Sequence, residues 1–230
     1  MELTGKVVAV TGAFGHLGRA VVRQVLREGG KVALLDRVTG DMPEGAGENA
    51  MAVQVDLGSQ ADAARAMEAI AAEFGRIDAL VNLAGGFRWQ TFEGSDLSEW
   101  TSLFAINLMT CVTASKAVLP HLQRAGGGRI VNVGAAAATK AGTGMGAYAA
   151  SKAGVARFTE ALAEEVKLQG ITVNAVLPTI IDTPQNRADM PEADFDRWVK
   201  PQEIAQVVVF LVSDKASAVT GALLPIAGRT

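Results

Sequence analysis

Residues 8–22 read VAVTGAFGHLGRAVV. A β-branched apolar run turns into a segment with helical spacing, and Gly12, Gly15 and Gly18 mark the change. Glycines in such a turn let the chain bend sharply and let its backbone approach a pyrophosphate at the N-terminus of the next helix. Glycines this close together are also ordinary turn chemistry. Their position between the first strand and the first helix of a strand–helix–strand unit favours a dinucleotide loop.

The same alternation continues outward. Short apolar runs at 6–10, 31–35, 51–55, 78–82, 128–133, 171–176 and 222–226 read as strands covered on both faces. Helical patterns lie between them at about 17–28, 60–74, 99–124, 147–169 and 202–212. The expected fold is α/β: one doubly wound, seven-stranded parallel sheet with helices on both faces, spanning 1–230 as a single domain. Residues 178–201 form the longest stretch without clear periodicity, placed where a substrate lid belongs.

Composition narrows the function. The chain has 230 residues, 49% of them hydrophobic, enough for one large core. A net charge of −3 gives no basic field for nucleic acid. One cysteine, Cys111, excludes an intrachain disulfide, and two histidines, His16 and His121, make no zinc pattern, so no metal is expected. No signal peptide is read at the N-terminus, and no uninterrupted apolar run reaches about 18 residues. The expectation is a cytoplasmic protein with a small-molecule substrate and no membrane partner.

The second strand ends in ALLDR, which places Asp36 and Arg37 at its tip. A carboxylate there accepts both ribose hydroxyls and repels a 2′-phosphate, favouring NAD(H) over NADP(H). Arg37 could instead pair with that phosphate, so NADP(H) stays possible. Asp56, in VDL at 55–57, ends the third strand and could meet the adenine edge. Further along, Tyr148 and Lys152 stand four residues apart in YAASK, on one face of a predicted helix. Tyr148 is the only tyrosine in the chain.

Together TGAFGHLG (11–18), VDL (55–57), NLAG (82–85), INL (106–108), YAASK (148–152) and LPTIIDTP (177–184) resemble the short-chain dehydrogenase/reductase family, in its order and over essentially the whole chain. The resemblance implies a Rossmann fold and a nicotinamide cofactor. It implies that Gly12, Phe14, Gly15, His16, Leu17 and Gly18 form the cofactor loop, with His16 where the family has its middle glycine. Asp36, Arg37, Asp56 and Leu57 would border the adenosine. Asn82, Ala84 and Gly85 would support the fourth strand and line the cofactor. Pro178, Ile180 and Thr183 would lie near its nicotinamide end. Tyr148 is implied as general acid/base. Lys152 would bond the nicotinamide ribose and lower the tyrosine pKa, and Asn107 would kink a helix and hold a water of the proton relay. The physics is consistent: the cofactor supplies hydride, the protein a proton and orientation, and a tyrosine of pKa about 10 needs a cation to work near neutral pH. The resemblance also implies a homodimer or homotetramer built on the two long apolar helices.

One position departs from the family. Ala135 stands where a serine usually orients substrate and tyrosine. Thr139 or Thr143 could substitute, the protein could bind cofactor without turnover, or the substrate could need no serine. The last reading has support in a local resemblance of 134–154 and 177–198 to quinonoid dihydropteridine reductase, whose conjugated substrate polarises itself. Phe87 and Trp89, just past the fourth strand, would then stack on a flat ring or simply pack. The acids Asp189, Glu192, Asp194 and Asp196 read as solvated loop charges. Trp198 reads as an anchor of the lid, and Cys111 as an inert buried thiol.

Overall fold

A computed structural model describes residues 1–230. Seven strands form one parallel sheet: β1 (Val7–Thr11), β2 (Lys31–Asp36), β3 (Ala50–Gln54), β4 (Ala79–Asn82), β5 (Gly128–Val133), β6 (Ile171–Pro178) and β7 (Leu223–Ile226). Their order is β3-β2-β1-β4-β5-β6-β7. The chain winds outward from β1 to one edge, then returns to β4 on the other side of β1. That reversal opens a crevice beyond the carboxyl ends of β1 and β4, where ligands of such sheets bind.

Seven helices complete the fold: α1 (His16–Arg27), α2 (Gln60–Phe74), α3 (Leu97–Phe104), α4 (Thr110–Arg124), α5 (Gly146–Val166), α6 (Pro184–Asp189) and α7 (Pro201–Val212). The alternation of side chains along each strand divides the core. Val8, Val10, Val32, Leu34, Val81 and Val131 face α1 and α7. Val7, Ala9, Ala33, Leu35, Leu80 and Ile130 face α2, α4 and α5. Both faces are covered, which is why the strands read as uninterrupted apolar runs.

The expected single helix over 99–124 is corrected in one respect. It begins at Leu97, and a π-helical turn at Ala105–Met109 separates α3 from α4. There the Thr110 N–H reaches back five residues to the Ala105 carbonyl, and Thr110 Oγ1 donates to the Ile106 carbonyl at 2.7 Å. Such turns frequently mark functional sites. By length and composition alone the helical segment Leu97–Arg124 could cross a membrane, with a window of mean hydropathy 1.5. It packs instead as a core helix: Asn107, Ala114, Ser115, Val118 and Leu122 are buried in this fold.

The segment 178–201, expected as a lid, holds α6 and is tied down by a bridge between Ile181 and Val199. Trp198 is buried as an anchor and packs on Phe195, with ring centroids 4.8 Å apart.

The turn after β1 is fixed by close approach. Gly12 has φ +62°, a left-handed conformation that favours glycine, and a Cβ there would lie 3.0 Å from the Ala84 nitrogen. A Cβ on Gly18 would overlap the Gly12 carbonyl and lie 2.7 Å from Ala13 Cα. Gly18→Ala should therefore cost about 1–3 kcal/mol in denaturant unfolding. Gly15→Ala, with 3.4 Å to its nearest neighbour, should cost clearly less; equal losses would refute this account of the loop.

Candidate active site

At the head of α1, Gly15 is the N-cap and no side chain caps the helix. The first-turn N–H groups therefore remain to meet an anion, assisted by the helix dipole. His16 is exposed on that turn, and Leu17 packs against the core. The Phe14 N–H donates to Asp36 Oδ2 at 3.2 Å, which brings the end of β2 against the glycine turn. The Arg37 N–H donates to the other Asp36 oxygen at 2.8 Å, while the Arg37 side chain stays exposed. Each carboxylate oxygen keeps acceptor capacity for a hydroxyl. Arg19, which the sequence reading passed over, lies beside this group: its guanidinium is 5.6 Å from the Phe14 ring and its Nε donates to the Phe14 carbonyl at 3.0 Å. Asp56 is exposed and accepts from the Gly58 N–H at 2.9 Å, and Leu57 is buried.

The crevice floor is tied by Thr11, also absent from the sequence reading. Its Oγ1 accepts from the Leu83 and Ala84 N–H groups at 3.0 and 3.1 Å. Asn82 is buried, and its amide donates to Asn132 Oδ1 at 2.8 Å and Ser115 Oγ at 3.1 Å, so its side chain braces β4, β5 and α4 from beneath. Pro178 closes β6, and the Ile180 carbonyl accepts from the Val199 N–H at 3.0 Å. Thr183 caps α6 by accepting from the Asn186 N–H at 3.2 Å. These groups fit a dinucleotide: an uncapped helix head, a glycine cradle that a Cβ would fill, and a carboxylate at the neighbouring strand end.

Tyr148 and Lys152 lie one turn apart on α5. Lys152 is 6% exposed, and its Nζ donates to the Val133 carbonyl at 2.8 Å. Burial pushes the ammonium down to about 8, partly offset by Cys111. Burial pushes the Tyr148 hydroxyl up to about 12, opposite to the lowering that the family resemblance implies. At neutral pH Tyr148 is thus a hydroxyl with a proton to give. The Phe87 ring meets the Tyr148 ring edge-on, centroids 4.9 Å apart.

Asn107 sits in the π-helical turn and is buried. Its Oδ1 accepts from the Gly86 N–H at 2.8 Å, and its Nδ2 donates to the Gly86 carbonyl at 3.1 Å and Ser151 Oγ at 3.0 Å. The Ser151 hydroxyl donates to the Tyr148 carbonyl at 2.7 Å. Ser151, within the quoted YAASK but not singled out, therefore joins Asn107 to the helix that carries Tyr148. A Cβ on Gly85 would lie 2.7 Å from Asn107 Oδ1 and 3.3 Å from Lys152 Nζ, so only glycine lets these groups converge.

Ala135 is buried in extended backbone at the end of β5. Neither expected substitute stands out as a replacement hydroxyl. Thr139 is exposed and donates to the Ala136 carbonyl at 2.8 Å. Thr143 is exposed, and its carbonyl accepts from Trp89 Nε1 at 2.9 Å. Phe87 and Trp89 are both more than half exposed.

With this geometry in place, comparison with known proteins is decisive at the family level. The short chain dehydrogenase family model matches residues 6–194, and the chain belongs to that family. It is 34% identical to the 3-oxoacyl-(acyl-carrier-protein) reductase of Escherichia coli strain K12, over 99% of this chain and 98% of that protein. It is 36% identical to D-threitol dehydrogenase of Mycolicibacterium smegmatis, over 99% and 93% of the two chains. A short-chain dehydrogenase/reductase from Burkholderia xenovorans superposes with TM-score 0.92 at 30% identity, over 99% of this chain and 96% of its own. The 3-ketoacyl-(acyl-carrier-protein) reductase of Brucella melitensis, solved with NADH, superposes with TM-score 0.87 at 30% identity, over 98% of each chain. The fold is that of these oxidoreductases, whose family binds nicotinamide cofactors.

Burial of Lys152 has a thermodynamic signature. Its folded pKa lies below its unfolded value, so between about pH 8 and 10.5 the unfolded chain holds the proton that the folded chain has lost. Stability gained through Lys152 therefore rises with pH from about 8 upward, and below that the burial penalty is present in full. Cys111 and Tyr148, both raised, act oppositely above about pH 9. The stability difference between wild type and Lys152→Met, measured by urea unfolding, should favour Lys152→Met most at pH 7 and shrink toward pH 9. A difference independent of pH would contradict the burial argument.

Proposed function

We propose that this protein is an NAD(H)-dependent oxidoreductase that transfers hydride between nicotinamide and a small carbonyl or alcohol substrate, with Tyr148 and Lys152 as the proton relay and no serine. The convergence of Lys152, Gly85, Asn107 and Ser151 behind Tyr148 carries this reading. The bound cofactor supplies the hydride. The chain's own residues do the rest. The uncapped head of α1 and Gly12 hold the pyrophosphate, and Asp36 accepts from the ribose and disfavours a 2′-phosphate. Tyr148 gives its proton to the substrate oxygen during reduction. Lys152 bonds the nicotinamide ribose and places positive charge beneath the site. Asn107 fixes the Gly86 backbone and, through Ser151, the start of α5. The segment 178–201 serves as the substrate lid. Burial keeps Tyr148 a hydroxyl near neutral pH, the form that reduction needs, and alcohol oxidation should speed up as pH rises above 9.

A second reading is favoured by Ala135 together with the exposed rings of Phe87 and Trp89. A quinonoid dihydropteridine, which needs hydride and one proton but no carbonyl orientation, would suit a site with one tyrosine and flat walls. A third, binding of NAD(H) without turnover, has only Ala135 in its favour.

Tyr148→Phe should lower NADH oxidation at least about 100-fold with ketone, aldehyde or quinonoid dihydropterin substrates. NADH binding, followed by fluorescence, should persist; unchanged turnover would remove Tyr148 from the chemistry. Asp36→Ala should bring kcat/KM with NADPH toward that with NADH, and an unaltered ratio would assign cofactor choice elsewhere. Static light scattering should give two or four times 23.9 kDa, since Phe104 and Met109 lie exposed along the α3–α4 segment; a single-chain mass would defeat the assembly.

A further inference from the structure

The loop after β4 is fastened at two places. At Gly86 the backbone N–H donates to Asn107 Oδ1 at 2.8 Å, and the carbonyl accepts from Asn107 Nδ2 at 3.1 Å. Further along, Trp89 Nε1 donates to the Thr143 carbonyl at 2.9 Å, and the Gln90 N–H donates to the Gly144 carbonyl at 2.9 Å. Gly144 has φ +74°, and a Cβ there would overlap the Trp89 indole. Glycine at this turn therefore serves both the left-handed backbone and the seat of the indole.

Phe87 lies between the two fastenings. Its ring meets the Tyr148 ring with centroids 4.9 Å apart at 89°, the edge-to-face arrangement that aromatic pairs favour. Both fastenings also lead to the helix that carries Tyr148. Asn107 donates to Ser151 Oγ on α5 at 3.0 Å, and the 143–144 turn runs directly into the start of α5 at Gly146. Loop and helix are thus tied together on both sides of the ring contact. Phe87 is half-exposed, so its packing on Tyr148 is not the filling of an enclosed core.

Ala135 leaves a task open here. It is buried at the end of β5 and has no hydroxyl with which to hold the phenol by a hydrogen bond. Proton transfer needs the donor within about 2.6–3.2 Å of its acceptor. A phenol free to swing spends less time within that reach, and small misplacements cost rate heavily.

We propose that Phe87 is the positioning residue of Tyr148: its ring, fixed by the fastenings on either side, holds the phenol in place by packing where no serine hydroxyl does so by bonding. As an effect on turnover this rests on the reading of Tyr148 as the proton donor. Trp89 acts one step further back, by fixing the loop that carries Phe87.

Tyr148 is the only tyrosine, so protein grown with 13C-labelled tyrosine gives one set of ring signals in NMR. With and without NADH, that set should move toward the values of free tyrosine in Phe87→Ala, and less in Phe87→Trp, which keeps a ring. Trp89→Ala should move the set when Phe87 is present and leave it unmoved in the Phe87→Ala background. Because Phe87 is half-exposed, the Phe87 variants should unfold at nearly the wild-type urea concentration. Rates are read with NADH and butanone, acetophenone or a quinonoid dihydropterin. Phe87→Ala should lower kcat about tenfold for each substrate turned over, with KM changed less than about twofold, and Phe87→Trp should recover most of the loss. A Phe87 that only walls the substrate site would raise KM for the two flat substrates, spare butanone and leave kcat intact. That pattern, or ring signals unmoved in Phe87→Ala, overturns the proposal. Ring signals that move while kcat holds, or while none of the three substrates is reduced, would uphold the positioning and count against Tyr148 as the proton donor in these reductions.

Discussion

An ammonium group held out of water governs the architecture around the crevice. Lys152 donates to the carbonyl of Val133 at the end of β5, so the helix carrying it must sit close over that strand end. A buried charge is tolerated only where its surroundings are fixed and polar. Gly85 must have no side chain, because its Cβ position is flanked by the Lys152 and Asn107 side chains. Asn107 must be turned inward, and the π-helical turn does that at the cost of regular helix. The tip of β4, the bend between α3 and α4, and the start of α5 are thus consequences of one placement.

Beneath this lies a layer of uncharged polar side chains inside an otherwise apolar core. Asn82 donates to Asn132, Asn132 donates to Thr159 at 2.8 Å, and Thr159 donates to the Val155 carbonyl at 2.8 Å. Cys111 donates its thiol to Asn132 Oδ1 at 3.3 Å, and burial pushes that thiol up to about 12. Such buried networks specify a unique packing. They connect β4, β5, α4 and α5, the elements that carry the candidate site, and they keep its backbone from drifting.

The fold was legible because the physics that produces it is periodic. Strands covered on both faces leave uninterrupted apolar runs, and the glycine turn at 12–18 stands between the first strand and the first helix, where its position rather than its composition marks it. Tyr148 and Lys152 were legible because helical spacing places them together. The π-helical turn was not, since the apolar pattern runs unbroken across Leu97–Arg124 and one extra residue in a turn leaves no compositional trace. Ser151 and Thr11 were also missed: hydroxyls in small-residue segments look like filler until a backbone N–H or an asparagine is seen facing them.

The long apolar helix Leu97–Arg124 also bears on how the chain is made. Its packing partners α2 and β4 precede it in sequence, but β5 and α5 follow it. At synthesis rates of about 5–20 residues per second, the stretch from Arg124 to Val166 takes roughly 2–8 s to emerge. During that interval an apolar surface waits for the elements that will cover it, and neighbouring nascent chains or chaperones can meet it first. The helix that shapes the crevice in the finished protein is therefore exposed for a time while the protein is being made.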